Sequence, residues 1–181
     1  MGSNPTLAAT ARTHREIAMR QGCVHAATAI TRVGEPVDVC EACILIGGEW
    51  VHLRQCLTCG RTLCCDNSPN RHMTGHFNEV GHPVMRGANP GDDWTWCFAD
   101  GAMIRDANGR WEIYDPFLET GARVAAMTLE GGGTLDVPED HVTDQGFPLG
   151  EWVAYVRESH GDGSLDADDT ALVEQLPGWQ W

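Results

Sequence analysis

Apolar residues recur with helical spacing mainly in the last third of the chain. Leu149, Trp152, Val153 and Val156 fall at i, i+3, i+4 and i+7, one face of a helix. Phe117, Leu118, Val124 and Met127 predict an earlier helix. Leu172, Val173 and Leu176 predict a final one, opened by Asp166 as N-cap with Asp169 three residues on, and closed at Pro177-Gly178. Three such helices are expected to bury Trp111, Phe147, Trp179 and Trp181 between them. Further upstream, two short strand-like runs flank Asn108-Gly109 between Met103 and Ile113, a hairpin signature. Gly131-Gly132-Gly133 reads as a connection and not as a phosphate loop, because no Lys-Ser/Thr follows it. The pattern divides the chain into a polar arm over 1–22 with a short helix near Arg12–Arg20, a Cys-rich finger over 23–103, a hairpin or linker over 104–114, and a helical module over 115–181.

Composition narrows the function. The chain has 181 residues, and its 26 acidic side chains against 12 basic ones give a formal charge of −14. All the basic residues are Arg. The acidity is lopsided, with 15 Asp/Glu and two Arg, Arg123 and Arg157, after position 110. A surface of that sign repels phosphate, so nucleic acid is an unfavourable partner. No apolar run reaches the roughly 18–20 residues that span a bilayer, and the N-terminal stretch lacks an apolar export segment. The expected setting is the cytoplasm, with no membrane partner.

Candidate chemistry lies in the cysteines. All eight fall between positions 23 and 97, interleaved with His, which a disulfide scaffold does not require. In order they read Cys23-x-His25, Cys40-x2-Cys43, Cys56-x2-Cys59, Cys64, His72-x3-His76, His82 and Cys97-x2-Asp100. Cys-x2-Cys lets two sulfurs reach one Zn²⁺ without backbone strain, and twelve ligands divide into three tetrahedral Zn²⁺ sites. A catalytic zinc would keep an open position beside a base, and no His-Glu-x2-His or His-x-Glu occurs. Closed structural sites and a non-enzymatic protein are therefore expected.

The string Cys23-x-His25, Cys40-Glu-Ala-Cys43, Trp50, Leu53, Cys56-Leu-Thr-Cys59-Gly60, Cys64, His72-x3-His76, Gly81-His82-Pro83 and Trp96-Cys97-Phe98 resembles the UBP-type zinc finger of ubiquitin hydrolases, especially its small bacterial members. The resemblance implies an α+β fold, a small twisted sheet with one or two helices, and cross-braced zinc sites. Cys40, Cys43, Cys64 and His72 would share one ion; Cys56, Cys59, His76 and His82 a second. Cys23, His25 and Cys97 would share a third with Asp100, where three-zinc relatives carry Cys. Cys65 is left over.

The resemblance also implies a protein-interaction adaptor that recognises a C-terminal tail. Asp92, Trp96 and Phe98 match the recognition positions, but Asp66 stands where relatives carry a carboxylate-pairing Arg. Loss of such a contact costs about 2–5 kcal/mol. Arg54, Arg61 and Arg71 are the cations near enough in sequence to replace it. The segment from Trp111 resembles a single helicase-associated repeat, an all-α three-helix module, through Val137-Pro138, His141-Val142, Gly146-Phe147-x-Leu149-Gly150-x-Trp152-Val153, Arg157, Gly163-x-Leu165 and Leu176-Pro177-Gly178-Trp179-x-Trp181. That likeness implies the alternative function, a nucleic-acid-binding accessory factor. Glu158, His160, Asp162, Gly163, Asp166 and Asp169 loosely fit a calcium loop, although helix capping by Asp166 accounts for the same residues.

Overall fold

The computed structural model describes residues 22–181; the helix expected near Arg12–Arg20 lies outside them. Six short strands form one antiparallel sheet in the order β2-β1-β3-β4-β5-β6: β1 Leu53–Cys56, β2 Thr62–Cys64, β3 Val84–Gly87, β4 Thr95–Cys97, β5 Ala102–Ala107 and β6 Arg110–Tyr114. Three short helices accompany it, α1 Val24–Ala29, α2 Glu41–Ile46 and α3 His72–Val80, one more than the finger was expected to hold. Two of them are started by cysteines. The Cys23 sulfur accepts from the Ala26 amide at 3.2 Å and that of Cys40 from the Cys43 amide at 3.4 Å, filling the place of an oxygen N-cap.

Asn108 and Gly109 both take positive φ, 57° and 87°, as a two-residue hairpin turn requires. Their hairpin is not a linker, however. β5 pairs with β4 from Thr95↔Ile104 to Cys97↔Ala102, so both its strands extend the finger's sheet. Gly22 bridges Glu112 at the outer edge. β4 and β5 thus have strand partners on both sides, whereas β6 is the edge strand, its outer side met by the Gly22 bridge and by the Cys23 amide, which donates to the Trp111 carbonyl at 2.9 Å.

The helical module comprises α4 Pro116–Glu130, α5 Leu149–Gly161 and α6 Ala167–Val173. Asp115 caps α4 by accepting from the Phe117 and Leu118 amides at 2.8 and 3.2 Å, and Asp166 caps α6 through the Asp169 amide at 2.8 Å. Leu118, Ala125, Leu149, Trp152, Val156 and Val173 form its solvent-excluded centre. Trp152 packs against Gly121 and donates from Nε1 to the Leu118 carbonyl at 3.1 Å.

Two of the four aromatics expected in this core belong elsewhere. Trp111, on β6, packs against the cluster of Cys23, Ala26, Leu57, Val84 and Ile104 in the finger. Trp181 is exposed and stacks on His160 with ring centres 3.8 Å apart. Phe147 and Trp179 do pack against the core. Arg105 on β5 clasps Glu119 on α4 with two hydrogen bonds of 2.7 and 2.9 Å, tying the sheet to the helices. Among the described residues, no helix is long and apolar enough to cross a membrane.

Candidate metal centres and the adjoining cavity

The local backbone aims the candidate ligands inward. Cys56 ends β1, and a turn closed by the Gly60 amide on the Cys56 carbonyl at 2.9 Å brings Cys59 back beside it; Gly60 has φ 84°. His72 and His76 sit one turn apart on α3 and face different clusters. His82 follows the left-handed cap at Gly81, φ 73°.

Three groups result: Cys40, Cys43, Cys64 and His72; Cys56, Cys59, His76 and His82; and Cys23, His25, Cys97 and Asp100. Within each, one ligand atom per residue lies within 4.8 Å of all the others. The division is the cross-braced one. Zn–S bonds of 2.3 Å at tetrahedral angles place two sulfurs about 3.8 Å apart. The Cys43 and Cys64 sulfurs stand at 3.8 Å, and the His72 Nδ1 lies 3.3–3.4 Å from all three sulfurs. That separation is far beyond a disulfide bond of about 2.05 Å. In the second group, His76 Nε2 and His82 Nδ1 are 3.1 Å apart, and His76 Nε2 is 3.4 Å from the Cys59 sulfur.

The donors of the third group also fit a cation. His25 Nδ1 and Asp100 Oδ2 are buried without a hydrogen-bond partner among the described residues, although Nδ1 is 3.0 Å from the other Asp100 oxygen. Burial pushes the Cys97 thiol up to about 12, aided by Asp100 and Cys23; burial with Cys40 and Cys64 pushes Cys43 up to about 11. Thiols crowded in this way ionise readily only when a cation is supplied. Zinc fits the donors, which are mostly thiolate and imidazole. The three clusters could hold one Zn²⁺ each, and all twelve residues named from the sequence lie in them.

Beside the first cluster lies a cavity of about 510 Å³, walled by Trp94, Trp96 and Phe98, with Met73 and Met85 lining it. Trp96 is set by its register, opposite Met85 on β3 and Met103 on β5. Phe98 stacks on Phe77 with centroids 4.8 Å apart. Asp66 lies at the exposed side of the cavity and accepts from the Thr74 hydroxyl at 2.6 Å.

Asp92 takes a supporting position. Its Oδ2 accepts from the Asn89 amide at 3.0 Å and the Asn89 side chain at 2.7 Å. Gly87 makes room for it, since a Cβ there would come within 2.4 Å of the Asp92 Cβ. Burial raises the Asp92 pKa, but the Asn89 bonds, Trp94 and the Arg54 charge outweigh it, so the carboxyl lies below the usual range. Of the three candidate replacement cations, only Arg54 lines the cavity. Arg61 is turned towards Glu41, at 4.0 Å, and Arg71 precedes α3 with an exposed side chain. Trp94 was not among the site residues anticipated from sequence; its only signal was its place in the Asp92-Asp93-Trp94-x-Trp96 run.

The fold and its clusters define a zinc-binding finger joined to a helical module. Residues 40–109 match the family described as the Zn-finger in ubiquitin-hydrolases and other protein, and residues 127–181 match the helicase associated domain. The chain thus carries a ubiquitin-hydrolase-type zinc finger followed by a helicase associated domain. A protein of Rhodopseudomonas palustris, RPA1320, solved by NMR in solution, is 46% identical over 47% of this chain and 82% of its own, with a TM-score of 0.41. No curated protein matches the chain.

Proposed function

We propose that this protein is a non-catalytic cytoplasmic adaptor whose zinc-braced finger receives the C-terminal segment of a partner protein. The observation that carries the reading is the cavity beside the first cluster, where three aromatic rings and two Met side chains form the walls. Flat aromatic walls suit a backbone with little or no side chain, and four protein donors per cluster would leave a tetrahedral ion no open position for a substrate. Trp96 and Phe98 act as walls, Asp92 as the anchor of the loop before β4, and Asp66 as a polar group at the mouth.

The test is titration of the zinc-loaded chain with N-acetylated peptides ending in Gly-Gly, followed by backbone amide chemical shifts. Saturable shifts confined to the cavity residues, and lost in Trp96→Ala, are expected. Absence of shifts at millimolar peptide rejects the reading. A second reading rests on the helicase associated domain, which suggests nucleic acid as the partner. Against it, residues 111–181, which include that domain, have 15 acidic residues and two Arg. DNA affinity that survives physiological salt and falls steeply as salt rises would favour it.

A further inference from the structure

We infer that Arg54, a residue of β1, is the group that fixes the partner's terminal carboxylate, which makes the cavity a dipolar slot despite the anion at Asp66. The inference rests on the proposed tail site and names what that site recognises. Arg54 enters the cavity because its strand register sets it opposite Gly87, whose missing side chain leaves the space that Asp92 fills. Its side chain is only 15% exposed. The guanidinium carbon lies 4.5 Å above the Trp94 ring, and Nη1 donates to the Leu53 carbonyl at 2.7 Å and lies 3.6 Å from Asp92 Oδ2. Among the described residues, Nε and Nη2 donate no hydrogen bond.

A guanidinium held on an aromatic face by one strand and one carboxylate, with donors left over towards a cavity, is preorganised for a second carboxylate. Asp92 supports this role because it neutralises only part of the guanidinium while fixing its plane. At the exposed side, Asp66 is held by Thr74 and repels an anion. The slot therefore has a cationic wall at β1 and an anionic mouth. A tail enters with its carboxylate towards Arg54 and its upstream amides, or a cationic side chain, beside Asp66.

The test compares an N-acetylated peptide ending in Gly-Gly as the free acid with its C-terminal amide, using the full zinc-loaded chain and calorimetry. The wild type is expected to bind the acid at least tenfold more tightly. Arg54→Gln should bring the ratio of acid to amide affinity close to one, and Asp66→Asn should tighten the acid severalfold. Arg54→Lys keeps a point charge without the fork and should retain a reduced preference, which covers the case in which Arg54→Gln loses zinc or melts early. Equal wild-type affinities, with binding lost in Trp96→Ala, overturn the role of Arg54 and leave the tail site standing. A preference that persists in Arg54→Gln does the same. If neither peptide binds, the tail site fails, and this inference with it.

Discussion

Replacing Gly121 with Ala sets two effects against each other in the middle of α4. Ala is the better helix former by about 1 kcal/mol, so an open site would gain stability. Gly121 is not open. A Cβ built there would lie 2.0 Å from Trp152 Cδ1 and 2.1 Å from its Nε1, well inside the sum of the atomic radii. Trp152 has no exposed surface and is held by its bond to the Leu118 carbonyl, so the ring cannot swing into solvent. Overpacking of this kind costs about 1–3 kcal/mol, and disturbing the indole hydrogen bond adds about 1 kcal/mol. The packing loss exceeds the propensity gain, and net destabilisation of about 1–3 kcal/mol is expected. In a domain of 60–100 residues each kcal/mol moves Tm by about 4–8 °C. The assay is thermal unfolding by far-ultraviolet circular dichroism, with zinc content measured in parallel and expected to stay unchanged. Gly75→Ala on α3 is the control, because nothing lies within 4 Å of its added Cβ; it should be neutral or stabilising. A Gly121→Ala protein that melts at or above the wild type would refute the packing described for Trp152.

Further outcomes follow from other sites. Asp100→Ala removes the single carboxylate donor and should lower bound zinc from three to two equivalents by native mass spectrometry, with the other two retained. Gln55→Leu leaves the carbonyls of Gly34 and Gly60 and the Arg86 Nε without the buried amide that now bonds all three at 2.9–3.1 Å. It should destabilise the finger by about 1–3 kcal/mol in chemical denaturation. Burial and its bond to Asp115 raise Tyr155 to about 12. Because the folded value is raised, the stability this bond contributes is fully present below the unfolded value of about 10 and is lost as pH climbs towards 12. Phenolate absorbance should show a late step that disappears in Tyr155→Phe.

The ligands were legible because metal chemistry imposes short spacings that the chain displays openly, and the three groupings implied by family resemblance are those the fold assembles. Asn108-Gly109 announced its turn, since few residue pairs adopt positive φ twice in succession. The i, i+3, i+4, i+7 run at Leu149–Val156 announced a buried face. What escaped was set by register between distant segments. Arg54 meets Asp92 and Trp94 only because β1 pairs with β3 across some thirty residues, and no local pattern encodes that pairing. Trp111 looked like part of the helical core from its place in sequence. The strand it lies on instead closes the sheet and turns it to the finger's core. The sequence could not reveal that the hairpin continues the sheet, because pairing of β4 with β5 is a contact between backbones.

α3 joins two of the metal basins, since His72 serves one and His76 the other, a single helical turn apart. Seating an ion in either basin fixes the pitch and rotation of that helix. The imidazole needed by the other basin is then already aimed before its own ion arrives. Uptake at the two should consequently be concerted, with half-loaded molecules scarce, and a chelator that strips one should unseat its neighbour.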